Sequence, residues 1–360
     1  MMRKLLKITG YILFLFIIVF ILSEIILRIW SPFQFRQGDK NVILPRNRKM
    51  IFTNKTIPGI DTKIIHTKNS LGFRGPEPPL NLTELSSIIA VGGSTTECFY
   101  LSDSICWTNL LANELRKQNH KVWINNAGYQ GHSTYGNFIL VNDYIKYLEP
   151  KYILFLEGIN EVSRTDIKVD ESIAADSKKT SPWGWIKRHS HVVSTVLNIQ
   201  RKFMADELGV TDNNYDLTKT ETLVLADSYL DSATKNQMPL VNGYIKRLNE
   251  IIDTCLANNI QPVLITQPSL FGNEKDCVTG TDLSTIKIND RYNSQLLWRL
   301  IELYNEATRQ IARQRNLLLV DLAHEMPKCS KFFYDVCHFT NEGSKKVSEI
   351  LRSHLAMYIK

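Results

Sequence analysis

The sequence contains no C-x-x-C pair, and none of its eight histidines follows a cysteine at ligand spacing, so it carries no zinc pattern. G-x-x-x-x-G-K-S/T and G-x-G-x-x-G are also missing, and with them the glycine-rich loops of common nucleotide and dinucleotide sites. No cofactor or metal is therefore expected. Internal repeats and low-complexity tracts are absent, which argues against a solenoid or a disordered chain. Strong charge of either sign is lacking too. Of the net +7, Arg3, Lys4, Lys7 and Arg28 against Glu24 place +3 in the first 30 residues and leave +4 on the rest. That balance, interspersed with acids, gives no basis for nucleic-acid binding. Finally, no A-x-A cleavage site follows the apolar run near the N-terminus, so the run reads as a retained anchor rather than a signal peptide.

That run, ITGYILFLFIIVFIL from residue 8 to 22, holds no charge, and its apolar character extends from Leu5 to about Leu27. A helix rising about 1.5 Å per residue needs roughly 20 residues to cross about 30 Å of hydrocarbon. Residues 5–27 are expected to span a membrane. Glu24 falls near the far interface with Arg28 at i+4 on the same face. Arg3, Lys4 and Lys7 precede the span, so the N-terminus is expected in the cytoplasm and the remainder in the periplasm or outside the cell.

With 44% hydrophobic and 22% charged residues in 360, the chain can form one sizeable core with accessory segments. Residues 1–30 are the anchor, and 31–84 read as a stalk and a small β-rich segment with short strands in KMIFT and TKIIHT. The glycines in NSLGFRG, 69–75, mark an ordered loop with Phe73 as its anchoring aromatic. From 85 to 360, apolar runs (SSIIAVGG, HKVWINNAG, KYILFLEG, IQPVLITQP, NLLLVDLA) alternate with helical patterns at 104–118, 134–148, 240–258 and 291–315. This alternation predicts a three-layer, flavodoxin-like α/β domain: a parallel sheet with helices on both faces. Residues 163–239 interrupt it as a helical insertion, which reads as a cap over the site or a surface excursion.

In such sheets, ligands bind beyond the carboxyl ends of the strands near the point where the winding reverses. The first three strands end there in Gly92-Gly93-Ser94-Thr95-Thr96, Asn126-Ala127-Gly128 and Glu157-Gly158-Ile159-Asn160-Glu161. Ser94, raised on a tight turn by two glycines, is placed either as a nucleophile or as a helix cap. Near the C-terminus, Asp335-Val-Cys-His338 puts a carboxylate three residues before an imidazole that could take the serine proton, ahead of a capped helix. Asp321-Leu-Ala-His324 has the same spacing, but it leads into a Pro-bounded loop, and His324 reads as a surface or capping histidine. The backbone N–H groups of Ser94 and Gly128 and the Asn160 amide would supply an oxyanion hole. Taken singly, Gly128 is also an ordinary turn glycine and Asn160 a loop asparagine.

The order GGSTT, NAG, GINE and DVCH resembles the four blocks of the SGNH (GDSL-like) hydrolases. The resemblance covers about 86–162 and 315–355 and assigns the family's Ser, Gly, Asn and His to Ser94, Gly128, Asn160 and His338, with Asp335 as triad acid. Two positions depart from the family pattern. Gly93 stands where an acid is usual, and Glu161 where Asp is usual. The anchor with NSLGFRG and GGSTT also resembles the membrane-tethered bacterial branch, which implies acyl chemistry, chiefly acetyl, on an envelope carbohydrate or a smaller acylated molecule. Three readings follow: an esterase working through acyl-Ser94, an O-acyltransferase passing the acyl group to a glycan hydroxyl, and a non-catalytic glycan-binding scaffold. Beyond scattered aromatics such as Trp183 and Trp185, the sequence carries no sugar-binding signature.

The six cysteines allow fifteen complete pairings. Cys255, on the apolar stripe of LNEIIDTCLANNI, reads as a core thiol. Cys98 with Cys106, and Cys329 with Cys337, flank the loops that carry Ser94 and His338, where bridges would restrain catalytic atoms. Cys277 is a rival partner for Cys329 or Cys337.

Overall fold

The structure is a computed structural model and describes residues 2–29, 44–162, 190–193, 195–196 and 216–359. Two compact units divide the chain, one of residues 1–44 and 168–204, the other of 45–167 and 205–360.

In the first unit, α1 (Met2–Ile29) includes 23 residues, Lys7–Ile29, long and apolar enough to cross a membrane. Glu24 pairs with Arg28 at 3.0 Å, as their i, i+4 spacing predicts. Its carboxylate also accepts hydrogen bonds from the Ser190 hydroxyl and the His191 and Val192 backbone N–H groups. Most of the 163–239 insertion, with Trp183 and Trp185, lies outside the described residues. Its described piece around Ser190 therefore belongs with α1, whereas 216–239 belong to the second unit.

The second unit opens with an antiparallel hairpin, β1 (Arg48–Thr53) and β2 (Lys63–Lys68), in which Met50 pairs with His66. Five strands then form a parallel sheet in the order β4-β3-β5-β6-β7: β3 (Ser86–Gly92), β4 (Val122–Asn126), β5 (Tyr152–Leu156), β6 (Gln261–Ile265) and β7 (Leu319–Val320). All seven residues of β3 are buried, as expected of a strand covered on both faces. Register places Ile88 opposite Ile124 on one side and Tyr152 on the other. Each such isoleucine contributes about 1.5–3 kcal/mol by burial. The expected three-layer parallel architecture is present.

Because the chain winds from β3 outward to β4 and then back past β3 to β5, the helices fall into two layers. Between β3 and β4, α3 (Trp107–Lys117) packs on α9 (Asn341–Leu355), while α4 (Thr134–Asp143), α6 (Asp227–Ala257) and α7 (Ser294–Arg315) pack in succession. Asn293 caps α7 by accepting from Leu296 N–H, and Asn316 ends it in the left-handed region. The helical pattern in the sequence starts only at 240, and an interior proline, which removes a helix hydrogen bond, costs about 3 kcal/mol. Here the helix runs through Pro239 from Asp227. Fully buried Leu230 and a hydrogen bond from Gln237 to the Tyr304 hydroxyl secure its first turns. Likewise α4 stops at Asp143, and residues 145–148 form a separate 3₁₀ turn.

The disulfide expectation is corrected in part. Cys277 joins Cys329, Cα atoms 5.2 Å apart, so the rival pairing is the one formed. Cys98, Cys106, Cys255 and Cys337 remain buried thiols. Cys98 and Cys106 stay unbridged thiols: Cys98 Sγ donates to Thr95 O, and Cys106 Sγ accepts from Asn126 Nδ2. Burial alone pushes Cys255 up to about 12.

Candidate active site

At the C-terminal edge of the sheet, the short helix α2 (Ser94–Glu97) begins directly after β3 and Gly93. Ser94 Oγ lies 2.7 Å from His338 Nε2. The other ring nitrogen, Nδ1, lies 2.6 Å from Asp335 Oδ2. An ionised carboxylate only accepts, so the ring proton sits on Nδ1 and Nε2 is left to accept from the serine hydroxyl. Asp335 is itself fixed, because its Oδ1 accepts from the backbone N–H groups of Cys337 (2.9 Å) and His338 (2.7 Å). Tyr334 stacks on the imidazole with ring centroids 5.6 Å apart.

The loop carrying this pair is held at both ends. Leu270 N–H and the Ser269 hydroxyl donate to Val336 O. Downstream, Thr340 caps α9 by accepting from Gly343 N–H. Any side chain at Gly343 would collide with Phe332, since an added Cβ would lie 1.9 Å from its carbonyl oxygen. Burial works against the charged form of His338, but Asp335 and Cys337 beside it outweigh that and hold its pKa well above the ordinary histidine value.

The second D-x-x-H is also a hydrogen-bonded pair, with His324 Nδ1 2.8 Å from Asp321 Oδ2. Spacing alone therefore does not separate the two. Their surroundings do: Asp321 is bound by Arg309 and the Thr266 hydroxyl, and the His324 side chain is 65% exposed. Arg309 Nη2, rather than a serine, approaches His324 Nε2.

Gly128 and Asn160 come to the same edge as Ser94. An added Cβ at Gly128 would lie 2.5 Å from Glu97 N, so the glycine allows its loop to press against α2. At rest the Gly128 N–H donates to Asn126 Oδ1 at 2.9 Å. The Asn160 amide donates to His132 O at 2.7 Å and sits over Gly93. Glu161, where the family usually has Asp, reaches to the start of α4. One carboxylate oxygen accepts from Thr134 N–H and its hydroxyl, each at 2.6 Å, and the other pairs with Arg247 of α6 at 2.9 Å.

Sequence reading missed several buried groups around this edge. The Thr95 hydroxyl donates to Gln267 Oε1. Lys68 pairs with Glu97 at 3.0 Å, and Arg74 runs beneath α2. The ordered NSLGFRG loop was legible, and Phe73 is fully buried. No charge pattern singles out Lys68 or Glu97, because buried lysine and glutamate are rare and look like surface residues in a sequence.

A parallel α/β sheet with a hydrogen-bonded Ser–His–Asp set at its carboxyl edge defines the class: this is a hydrolase acting on ester bonds. The model of the GDSL-like lipase/acylhydrolase family matches residues 90–346, well over half of the chain, and the chain belongs to that family. Among solved structures, acetylxylan esterase Axe2 from Geobacillus stearothermophilus is similar, with 14% identity and a TM-score of 0.44 over 76% of this chain and 95% of that one. LAE5, an alpha/beta hydrolase from the metagenome of Lake Arreo, matches with 13% identity and a TM-score of 0.41 over 75% and 94%. No curated protein matches the sequence.

Proposed function

We propose that Ser94, His338 and Asp335 are the catalytic triad of a membrane-anchored esterase that removes small acyl groups, chiefly acetyl, from an envelope carbohydrate. The observation that carries this reading is the continuous hydrogen-bonded line from Asp335 Oδ2 through His338 to Ser94 Oγ, with links of 2.6 and 2.7 Å.

Ser94 Oγ attacks the ester carbonyl carbon as His338 Nε2 takes its proton. The tetrahedral oxyanion is held by the Ser94 and Gly128 N–H groups and the Asn160 amide, and Gly128 redirects its hydrogen from Asn126 Oδ1 to do so. Collapse breaks the bond to the sugar oxygen, which leaves with the proton from His338, and acyl-Ser94 remains. Water then repeats the sequence, its proton passing to His338 and on to Ser94 as the acid departs. A small acyl group is favoured because Ser94 and His338 are only 8% and 7% exposed. An envelope substrate is supported by the apolar span Lys7–Ile29 and the basic residues Lys4 and Lys7 at its start, which orient the rest of the chain outside the cytoplasm.

Incubating the full chain with O-acetylated envelope polysaccharide tests this. Free acetate should appear, and peptide mapping of quenched samples should show the acyl group on Ser94. Acetate transferred to another glycan without release would make the protein the acyltransferase of the alternative reading, and no acyl-Ser94 in either case would end both.

A further inference from the structure

We propose that Lys68 and Arg74, which lie upstream of the family match at 90–346, are positioning residues that lock the nucleophile helix to the oxyanion loop. This rests on the assignment of Ser94 as nucleophile.

The Arg74 guanidinium is 2% exposed and uses its donors on one short stretch of chain. Nη1 donates to the carbonyls of Glu97 (2.5 Å) and Cys98 (2.6 Å), which close α2. Nη2 donates to Leu101 O (2.8 Å) and Asp103 Oδ1 (2.7 Å), and Nε to Asp103 Oδ1 (2.9 Å). Five N–H groups thus make five bonds, which only a planar guanidinium can supply from one side chain. The Arg74 backbone also exchanges hydrogen bonds with Asn126 at the end of β4, two residues before Gly128. One residue therefore ties the end of the Ser94 helix to the root of the Gly128 loop.

Lys68 makes the second tie. Its ammonium, 2% exposed, lies 3.0 Å from Glu97 Oε1, 3.5 Å from Gly128 O and 4.3 Å from the centroid of the Tyr129 ring. The other oxygen of Glu97 accepts from Gln130 N–H at 2.7 Å. Glu97 is the last residue of α2, so the pair joins that helix to residues 128–130. Burying two opposite charges costs desolvation that an apolar pair would avoid, so stability alone gives little reason for them here. Their placement between the two loops does, because acyl transfer needs Ser94 and its oxyanion donors held to about half an ångström.

Lys68→Met alone would leave the buried Glu97 carboxylate without its counter-charge and endanger the fold. The informative variants are Lys68→Met/Glu97→Gln, which neutralises both partners, and Arg74→Lys, which keeps the charge but loses the fork. Both are made in the full chain, alongside Ser94→Ala, and assayed for thermal midpoint and for kcat and KM on para-nitrophenyl acetate. The neutral pair should unfold within a few degrees of wild type yet lose on the order of 10²-fold in kcat with KM changed by less than about threefold. Arg74→Lys should fall in the same parameter. Inactive Ser94→Ala together with wild-type kcat in either folded variant overturns the proposal, whereas an active Ser94→Ala overturns the nucleophile itself. Loss of folding in both variants would also overturn it, since Lys68 and Arg74 would then be supports of the whole fold.

Discussion

A Cβ added at Gly93 would lie 2.2 Å from Asn160 Nδ2 and 3.0 Å from His132 O. The missing side chain at the position where the family usually carries an acid therefore lets the Asn160 amide come down beside Ser94. Gly93→Asp, which restores the usual residue, should push Asn160 away and lower kcat on a small acetate ester by about 10- to 100-fold. Steady-state kinetics on the folded variant check this, and unchanged kcat would mean that Asn160 is not held by that contact.

The Asp335–His338 pair makes activity and stability move oppositely with pH. His338 must be neutral to accept the Ser94 proton, and its pKa is raised by Asp335 and Cys337 against burial. The acid limb of kcat/KM should thus lie above the unperturbed histidine value of about 6.5. Stability has the other sign. A raised folded pKa adds stability that is fully present below about pH 6.5 and is lost as pH rises through the folded value. Asp335→Asn removes the strongest raising influence, so its acid limb should move to lower pH as its rate falls. A limb that stays in place would remove Asp335 from the role given to it.

Cysteine reactivity gives a separate check. In the native protein Cys277 and Cys329 should be recovered as one bridged peptide, and Cys98, Cys106, Cys255 and Cys337 should become alkylatable only on unfolding. Reducing the bridge frees a 52-residue loop and should lower stability by about 4 kcal/mol. A Cys98–Cys106 bridge in the map would revert to the expectation drawn from spacing.

What the sequence revealed follows from which interactions are local. β3, β4 and β5 were readable because strands buried on both faces are continuous apolar runs. Ser94, Gly128, Asn160 and His338 could be proposed from sequence because each stands at the end of such a run or in a short spaced motif. The choice between His338 and His324 was sharpened only in three dimensions, where both aspartates bind their histidines but one imidazole reaches Ser94 across 244 residues of chain. The first turns of α6 were not legible, because they run through Pro239 and are held by tertiary contacts of Leu230 and Gln237 that outweigh the local penalty. Lys68 and Arg74 were hidden for a related reason. Their partners, Glu97 and the carbonyls of 97–101, lie more than twenty residues away and leave no pattern in the sequence.

The most direct test of the account is kcat/KM on para-nitrophenyl acetate for Ser94→Ala, His338→Ala and His324→Ala in the same preparation. The first two should fall by on the order of 10³-fold or more, and the third should stay within about twofold of wild type. A reversed ranking of the two histidines, or an unaffected Ser94→Ala, would contradict it.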